Sequence, residues 1–508
     1  MVVLLVMVGV GLGGRLAAPI SQAQATDQSG PCRESLPEGY FTTDWKTACE
    51  KDAQPIGSSD MPQPGSKNAS GPLAIDPNGV ARSNPMPGVA AAVSPTAPQM
   101  TGDSRSFMAC NAGITGNWMT TSTSWQEVRS CTATFPEDGF VYINATASLD
   151  WVDTPYEAHV ALNVDNPVGN GTTDRWVNIY ADSGNGTDKN VADDMIAAVS
   201  SGTHTFYFLV RRFAGSGTVE LLNPNLSVLY FPSSNAEVMA CGVTNELDWT
   251  TTDSAFQIVR SCTLSVTQPG YVYVSGTSSV AQANGPSEAR LRVGVDSTAG
   301  LAVSDRWVNV YTDTGDGTDE SAATSNLVSV VTGTHTFYLL AARYAFTGTV
   351  TLYDPSLSVL YFPETNVTAK TCGVTGADMW INATDDTSVI RSCTVDLPAA
   401  GFAFVTANAS AGLNDTTAGN DWEGKFGLSL DDSTDTHPGF NRWLNVYTDA
   451  GDGTDQTLAT SGMFQPAAGA HTFYLLGTRF GGATMRLYNP SLTVIVPVAH
   501  TYLPLATR

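Results

Sequence analysis

Apolar and polar residues alternate along much of the chain with a period of two. From Glu288 to Asp296, Leu291, Val293 and Val295 point one way, and Arg290, Arg292 and Gly294 the other. The stretches Glu157 to Asp165 and Glu423 to Asp431 repeat this pattern. Such alternation predicts strands with one buried and one wet face. In Arg306 to Tyr311, Trp307, Asn309 and Tyr311 share one face and Val308 and Val310 the other. Further strands are predicted at Phe140–Ile143, Thr334–Ala341 and Leu357–Phe362, separated by clusters of Gly, Asn, Asp and Pro. With no long amphipathic helix between them, the expected fold is all-β, in antiparallel sandwiches of the jelly-roll kind.

A longer period is laid over the short one. Ala109-Cys110-Asn111 returns as Ala240-Cys241-Gly242 and Thr371-Cys372-Gly373, so the first cysteines recur every 131 residues. Arg129-Ser130-Cys131 returns as Arg260-Ser261-Cys262 and Arg391-Ser392-Cys393. Asp174-Arg175-Trp176 returns as Asp305-Arg306-Trp307 and Asn441-Arg442-Trp443. Gly202 to Tyr207 returns at Gly333 to Tyr338 and Ala470 to Tyr474, and Asn223-Pro224-Asn225-Leu226 as Asp354-Pro355-Ser356-Leu357 and Asn489-Pro490-Ser491-Leu492. A repeat of this length is a whole domain with its own core. The reading is three tandem sandwich domains at 106–233, 234–365 and 366–508.

The N-terminal part reads differently. Residues 1–25 have the form of an export signal, with an apolar run from Val2 to Leu12 and a small-x-small site at Ala23-Gln24-Ala25. Residues 26–53 form a short segment bracketed by Cys32 and Cys49, and 54–105 a linker rich in Pro, Gly, Ser and Ala. The expectation is a secreted, extracellular protein at the cell surface, with no transmembrane helix in the mature chain. The eight cysteines fit that setting. Cys110 and Cys131, Cys241 and Cys262, and Cys372 and Cys393 are each 21 residues apart, and Cys32 and Cys49 are 17 apart. Four disulfides are expected. Zinc is the weaker reading, because no Cys-x-x-Cys pair is present.

Charge narrows the partners. The 508 residues carry a net charge of −24, which argues against nucleic acid and against anionic membranes. It suits solubility or divalent cations.

Gly333 to Leu340, Gly348-Thr349-Val350-Thr351-Leu352 and Ser356 to Leu360 resemble the last strands of the jelly-roll heads of the tumour necrosis factor and complement globular-head superfamily. Similar runs occur in phage and bacterial tail-like β domains. Gly270-Tyr271-Val272-Tyr273 resembles that superfamily's Gly-x-Tyr strand. The resemblance covers about half of each repeat and implies a jelly roll with a tendency to threefold packing. The cysteine pair is not part of it. Three copies in one chain can form a rod, close into an intrachain pseudo-trimer, or self-associate. Short linkers permit both the rod and the pseudo-trimer, and the rod is the arrangement expected.

Candidate chemistry centres on a repeated acidic loop. It carries Asp182, Asn185 and Asp188, then Asp313, Asp316 and Asp319, then Asp449, Asp452 and Asp455. Oxygen-rich, glycine-kinked loops suit Ca²⁺, although the spacing is not that of an EF-hand and plain turns use the same residues. No other cofactor is required. Trp176, Trp307 and Trp443 are the candidate ligand-binding residues: exposed, they would stack on a sugar or meet a neighbouring repeat, and buried, they would be core pillars. The pairs Glu157/Asp165, Glu288/Asp296 and Glu423/Asp431 invite a glycosidase reading. Eight residues of strand is about 26 Å, however, too far for paired catalytic carboxylates. His204, His335 and His471 read as structural. The expectation is a non-catalytic structural or adhesive protein that meets cell-surface or matrix components, with a multivalent glycan binder as the alternative.

Overall fold

The computed structural model describes residues 108–497 apart from 112–115, 152–155, 169–172, 180–187, 235–237, 245–246, 284–286, 311, 314–315, 318, 346–347, 365–368, 377, 382–385, 414–421, 447–454 and 481–483. The export signal, the Cys32/Cys49 segment and the linker fall outside the described residues.

Among the described residues of the first repeat the alternating segments form nine strands: β1 (Met108–Asn111), β2 (Asn117–Thr120), β3 (Gln126–Phe135), β4 (Gly139–Trp151), β5 (Tyr156–Val164), β6 (Arg175–Ile179), β7 (Lys189–Val199), β8 (Gly202–Gly215) and β9 (Val219–Pro232). One sheet runs β1-β9-β4-β7, with β2 also on β9, and the other runs β3-β8-β5-β6. The pairings are antiparallel. First and last strands lie side by side, which makes the sandwich a jelly roll. The second and third repeats have the same two sheets in the same order. The alternation holds as read. Leu291, Val293, Val308 and Val310 are buried in the second core, while Arg290 and Arg292 face outward.

Disulfides clamp one sheet to the other. Cys241 in Met239–Val243 bonds Cys262 in Gln257–Val266, and Cys372 in Ala369–Thr375 bonds Cys393 in Thr387–Leu397. Cys131 is disulfide-bonded as well. Gly270 must be glycine: a Cβ there would lie 2.3 Å from the Phe362 carbonyl oxygen and 2.6 Å from the Tyr361 ring.

The Asn-Pro signature does not separate strands, as its composition suggests. It lies inside β9 and inside its counterparts Thr349–Pro363 and Met485–Pro497. Proline has no N–H for the ladder, so it is tolerated here in a bulge. Asn223, Asp354 and Asn489 take φ of 48°, 45° and 46°. Register slips opposite them, between Thr146 and Ser148, Thr277 and Ser279, and Asn408 and Ser410. The freed proline carbonyls are then capped. Arg129, Arg260 and Arg391 donate through Nε to the oxygens of Pro224, Pro355 and Pro490 at 3.2, 3.0 and 3.0 Å. This accounts for the recurrent Arg-Ser-Cys.

The three sandwiches are not a rod. They close into a ring of threefold pattern, first to second, second to third and third back to first. Equivalent rings Tyr142, Tyr273 and Phe404 meet edge to face at 5.9, 5.6 and 6.5 Å in a shared apolar cluster with Leu229, Leu360 and Ile495. Equivalent Ala192, Ala323 and Ala459 form a second, smaller cluster. The rod expectation fails because linker length does not decide the matter. The outer faces of β4, β7 and β9 carry aromatic and small polar side chains that are buried only when the repeats meet.

Candidate functional site: the three inter-repeat seams

Each seam is organised by β6 or its counterpart, an edge strand with unpaired backbone groups that must be covered. The neighbouring repeat covers it. The N–H groups of Trp176, Trp307 and Trp443 donate to the hydroxyls of Ser279, Ser410 and Ser148 at 2.5, 2.6 and 2.7 Å. Two residues on, the N–H groups of Asn178, Asn309 and Asn445 donate to the carbonyls of Asp319, Asp455 and Asp188 at 2.9, 2.9 and 3.0 Å.

The arginine before each tryptophan locks the joint. Arg175 donates to the Asp354 carbonyl at 2.8 Å and to Thr277 and Ser356 at 3.0 Å, and pairs with Asp193 at 2.9 Å. Arg306 reaches Asn408 Oδ1 at 2.7 Å and Ser491 at 3.2 Å. Arg442 reaches the carbonyls of Asn223 and Thr146, both at 3.0 Å. All three are fully buried, and burial lowers Arg306 and Arg442 to a pKa of about 9. The repeated Arg-Trp and Asn/Asp-Pro motifs thus meet across the joints.

The carboxylates fall into two sets. Asp165, Asp296 and Asp431 accept from His204, His335 and His471 Nδ1 at 2.6 Å and from the N–H of the following threonine at 2.8 Å. These are staples beside the β5–β8 pairing. Burial opposes ionisation of the three aspartates, but the threonine and histidine bonds outweigh it and hold them below the ordinary range.

The glutamates belong to the seams. Glu157, Glu288 and Glu423 lie directly opposite Asn178, Asn309 and Asn445 in the sheet. Asn178 and Asn309 donate from their side chains to Asp319 at 3.1 Å and, at long range, to Asp455 at 3.5 Å. The last aspartate of the acidic loop is therefore at the joint. Burial first, then the charges of Glu157 and Glu320, push Asp319 up to about 7. Burial pushes Asp455 up to about 7, and burial with the neighbouring Asp455 raises Glu288 well above its usual range. Asp182, Asn185, Asp449 and Asp452 lie outside the described residues; the backbones of Asp313 and Asp316 pair in a two-rung hairpin. Among the described residues no cluster of three or more metal-binding side chains occurs.

The three tryptophans lie at the same joints. Trp176 is stacked between Tyr353 of the second repeat and His159, each 4.5 Å away, and His159 stacks on Phe213 at 4.2 Å. Trp307 is 7% exposed, with Tyr344 edge-on at 4.4 Å and Arg290 over its ring at 4.0 Å. Trp443 stacks on Phe480 at 5.5 Å. The outer end of the first column, Phe213, is 52% exposed, and Arg211 lies between it and Trp125. Sequence reasoning missed His159, Phe213 and Tyr353. The signal was present for His159, which shares its strand face with Glu157.

No protein-family profile and no curated protein matches the chain. Among solved structures it is similar to PNGF-II in a C2 space group, with 9% identity over 71% of this chain and 99% of that one, at a TM-score of 0.24. It is also similar to the N-terminal CBM22-1-CBM22-2 tandem of Paenibacillus barcinonensis Xyn10C, with 10% identity, 51% and 91% coverage and a TM-score of 0.15. A third likeness is to infectious bursal disease virus, Gx strain, with 7% identity, 79% and 84% coverage and a TM-score of 0.17. Likenesses this weak carry no argument. Among the described residues no helix is long and apolar enough to cross a membrane.

Proposed function

We propose that this chain is a secreted, non-catalytic structural or adhesive protein, in which three jelly rolls form one rigid, disulfide-clamped head. One observation carries the reading. The residue types that recur in all three copies, and that would otherwise suggest chemistry, are engaged in holding the head together. The arginines and tryptophans join neighbouring repeats, and the histidines staple strands through aspartate. A head of this kind presents fixed surfaces to cell-envelope or matrix components.

The test is made on the exported, oxidised chain fixed to beads. It should retain envelope or matrix material from the producing cells and release no product from polysaccharide, ester or peptide substrates. Turnover that co-purifies with the chain through successive columns would refute the proposal.

A second reading, glycan binding, is favoured by Phe213, an exposed ring at the end of a stacked column with Arg211 and Trp125 beside it. A glycan array probed with the whole chain and with Phe213→Ala addresses it. Binding lost in the variant supports the reading, and an empty array removes it.

A further inference from the structure

The three repeats carry different residues at one equivalent place, the start of the strand nearest the middle of the ring. Lys189 opens β7, Glu320 opens its counterpart Glu320–Val330, and Gln456 opens Gln456–Phe464. The first joint thus sets an amine against a carboxyl. Lys189 Nζ bonds Glu320 Oε1 across that joint, and the two side chains are 4% and 11% exposed. They lie 131 residues apart in the chain.

An ion pair taken out of water gives up hydration that its own attraction only partly restores. An amide in its place leaves no charge to bury. Groups held in fixed contact react at effective concentrations of about 10⁵–10⁸ M, far above that of water, so condensation outruns hydrolysis inside a closed joint. Condensation consumes the neutral acid, and burial raises Glu320 toward that form against the opposing charge of Lys189. A further carboxyl stands by. Asp319 is held from the first repeat by Asn178, whose Nδ2 donates to its Oδ2 at 3.1 Å. It interacts electrostatically with both Lys189 and Glu320. Pushed up to about 7, it can take and return a proton near neutral pH.

We propose that Lys189 and Glu320 are joined by a side-chain amide, formed by the folded chain itself, which ties the first repeat covalently to the second. A proton first passes from Nζ to the Glu320 carboxylate along their hydrogen bond. The amine then attacks Cδ and the C–N bond forms. Nζ gives a second proton to Asp319, which returns it to the departing hydroxyl. The Cδ–O bond breaks and one water leaves. Nothing is oxidised or reduced, and no co-reactant is consumed. The bond is independent of what the head adheres to, and unlike the disulfides it survives reduction.

The experiment uses the whole exported chain, reduced, denatured and digested with trypsin. An amide blocks cleavage at Lys189. Peptide 176–211 should therefore be found joined to peptide 307–343, lighter than their sum by one water. Fragmentation in the mass spectrometer should place the link at Lys189 and Glu320. Lys189→Arg keeps a cation but no primary amine, and Glu320→Ala removes the carboxyl. Both should release 307–343 as a free peptide and melt lower than wild type. Asp319→Asn should slow the appearance of the linked peptide several-fold in newly made chain. The proposal is overturned if wild type yields only free 190–211 and 307–343, or if Lys189 is linked to another residue. A link that forms in Asp319→Asn at the wild-type rate overturns the part given to Asp319.

Discussion

Three residues show how local chemistry is spent on assembly. Arg306 is buried among Asn408, Ser491 and the Asp305 carbonyl. Removing one member of such a group strands the others without water. Arg306→Ala should cost about 3–5 kcal/mol, read as a lower denaturation midpoint in urea; a loss below about 1 kcal/mol, the range of surface pairs, would mean the lock is idle. Asp296 and His335 give a pH signature of known sign. Asp296 lies below its ordinary 3.8, so its contribution is full above that value and is lost as pH falls through the folded pKa. His335 is raised above 6.5: burial pulls it down, but Asp296 and the Val331 carbonyl outweigh that. Its contribution is full below 6.5 and fades as pH rises through the folded value. The stability advantage of wild type over His335→Gln should therefore be widest between about pH 4 and 6.5. Melting curves across pH check this, and an advantage that grows above pH 8 would contradict it.

At the scale of elements, the strands were legible and their partners were not. Val308 and Val310 turn inward and Trp307 outward, as period two requires. The composition of the Asn-Pro signature suggested an end where the chain has a bulge, because only pairing across the sheet shows that the strand resumes in register. Ser279, Thr277 and Ser356 look like solvent-facing residues in sequence. They are buried, bonded to a neighbouring repeat through Trp176 and Arg175. Nothing local distinguishes a hydroxyl facing water from one facing a guanidinium some 100 residues away. The acidic loops were identified, but their meaning lay in the last aspartate of each, which touches a different repeat. Two of the four expected disulfides, Cys241–Cys262 and Cys372–Cys393, are present where the even count and the repeated spacing placed them. Cys241→Ser with Cys262→Ser should cost roughly 3 kcal/mol through the unfolded chain and leave the β-sheet circular dichroism spectrum intact; loss of that spectrum would show that the bond is needed to fold.

The molecule as a whole should behave as one body. Scattering in solution should give a compact particle, near 2.2·N^0.38 Å in radius of gyration for the described residues, and a rod-like profile would reject the ring. Unfolding should be concerted. Arg175→Ala, which opens one joint, should lower the midpoint of the entire transition rather than split off a single domain. Separate calorimetric peaks for the three repeats in the wild-type chain would count against this.

Around the middle of the ring, Lys189 of the first repeat bonds Glu320 of the second, and the same position in the third is Gln456. Three identical subunits could not make that contact, since symmetry would bring like charge against like at every corner. Joining the copies in one polypeptide frees each corner to mutate alone, so the order in which the domains follow one another becomes information that the chain can encode and a homotrimer cannot.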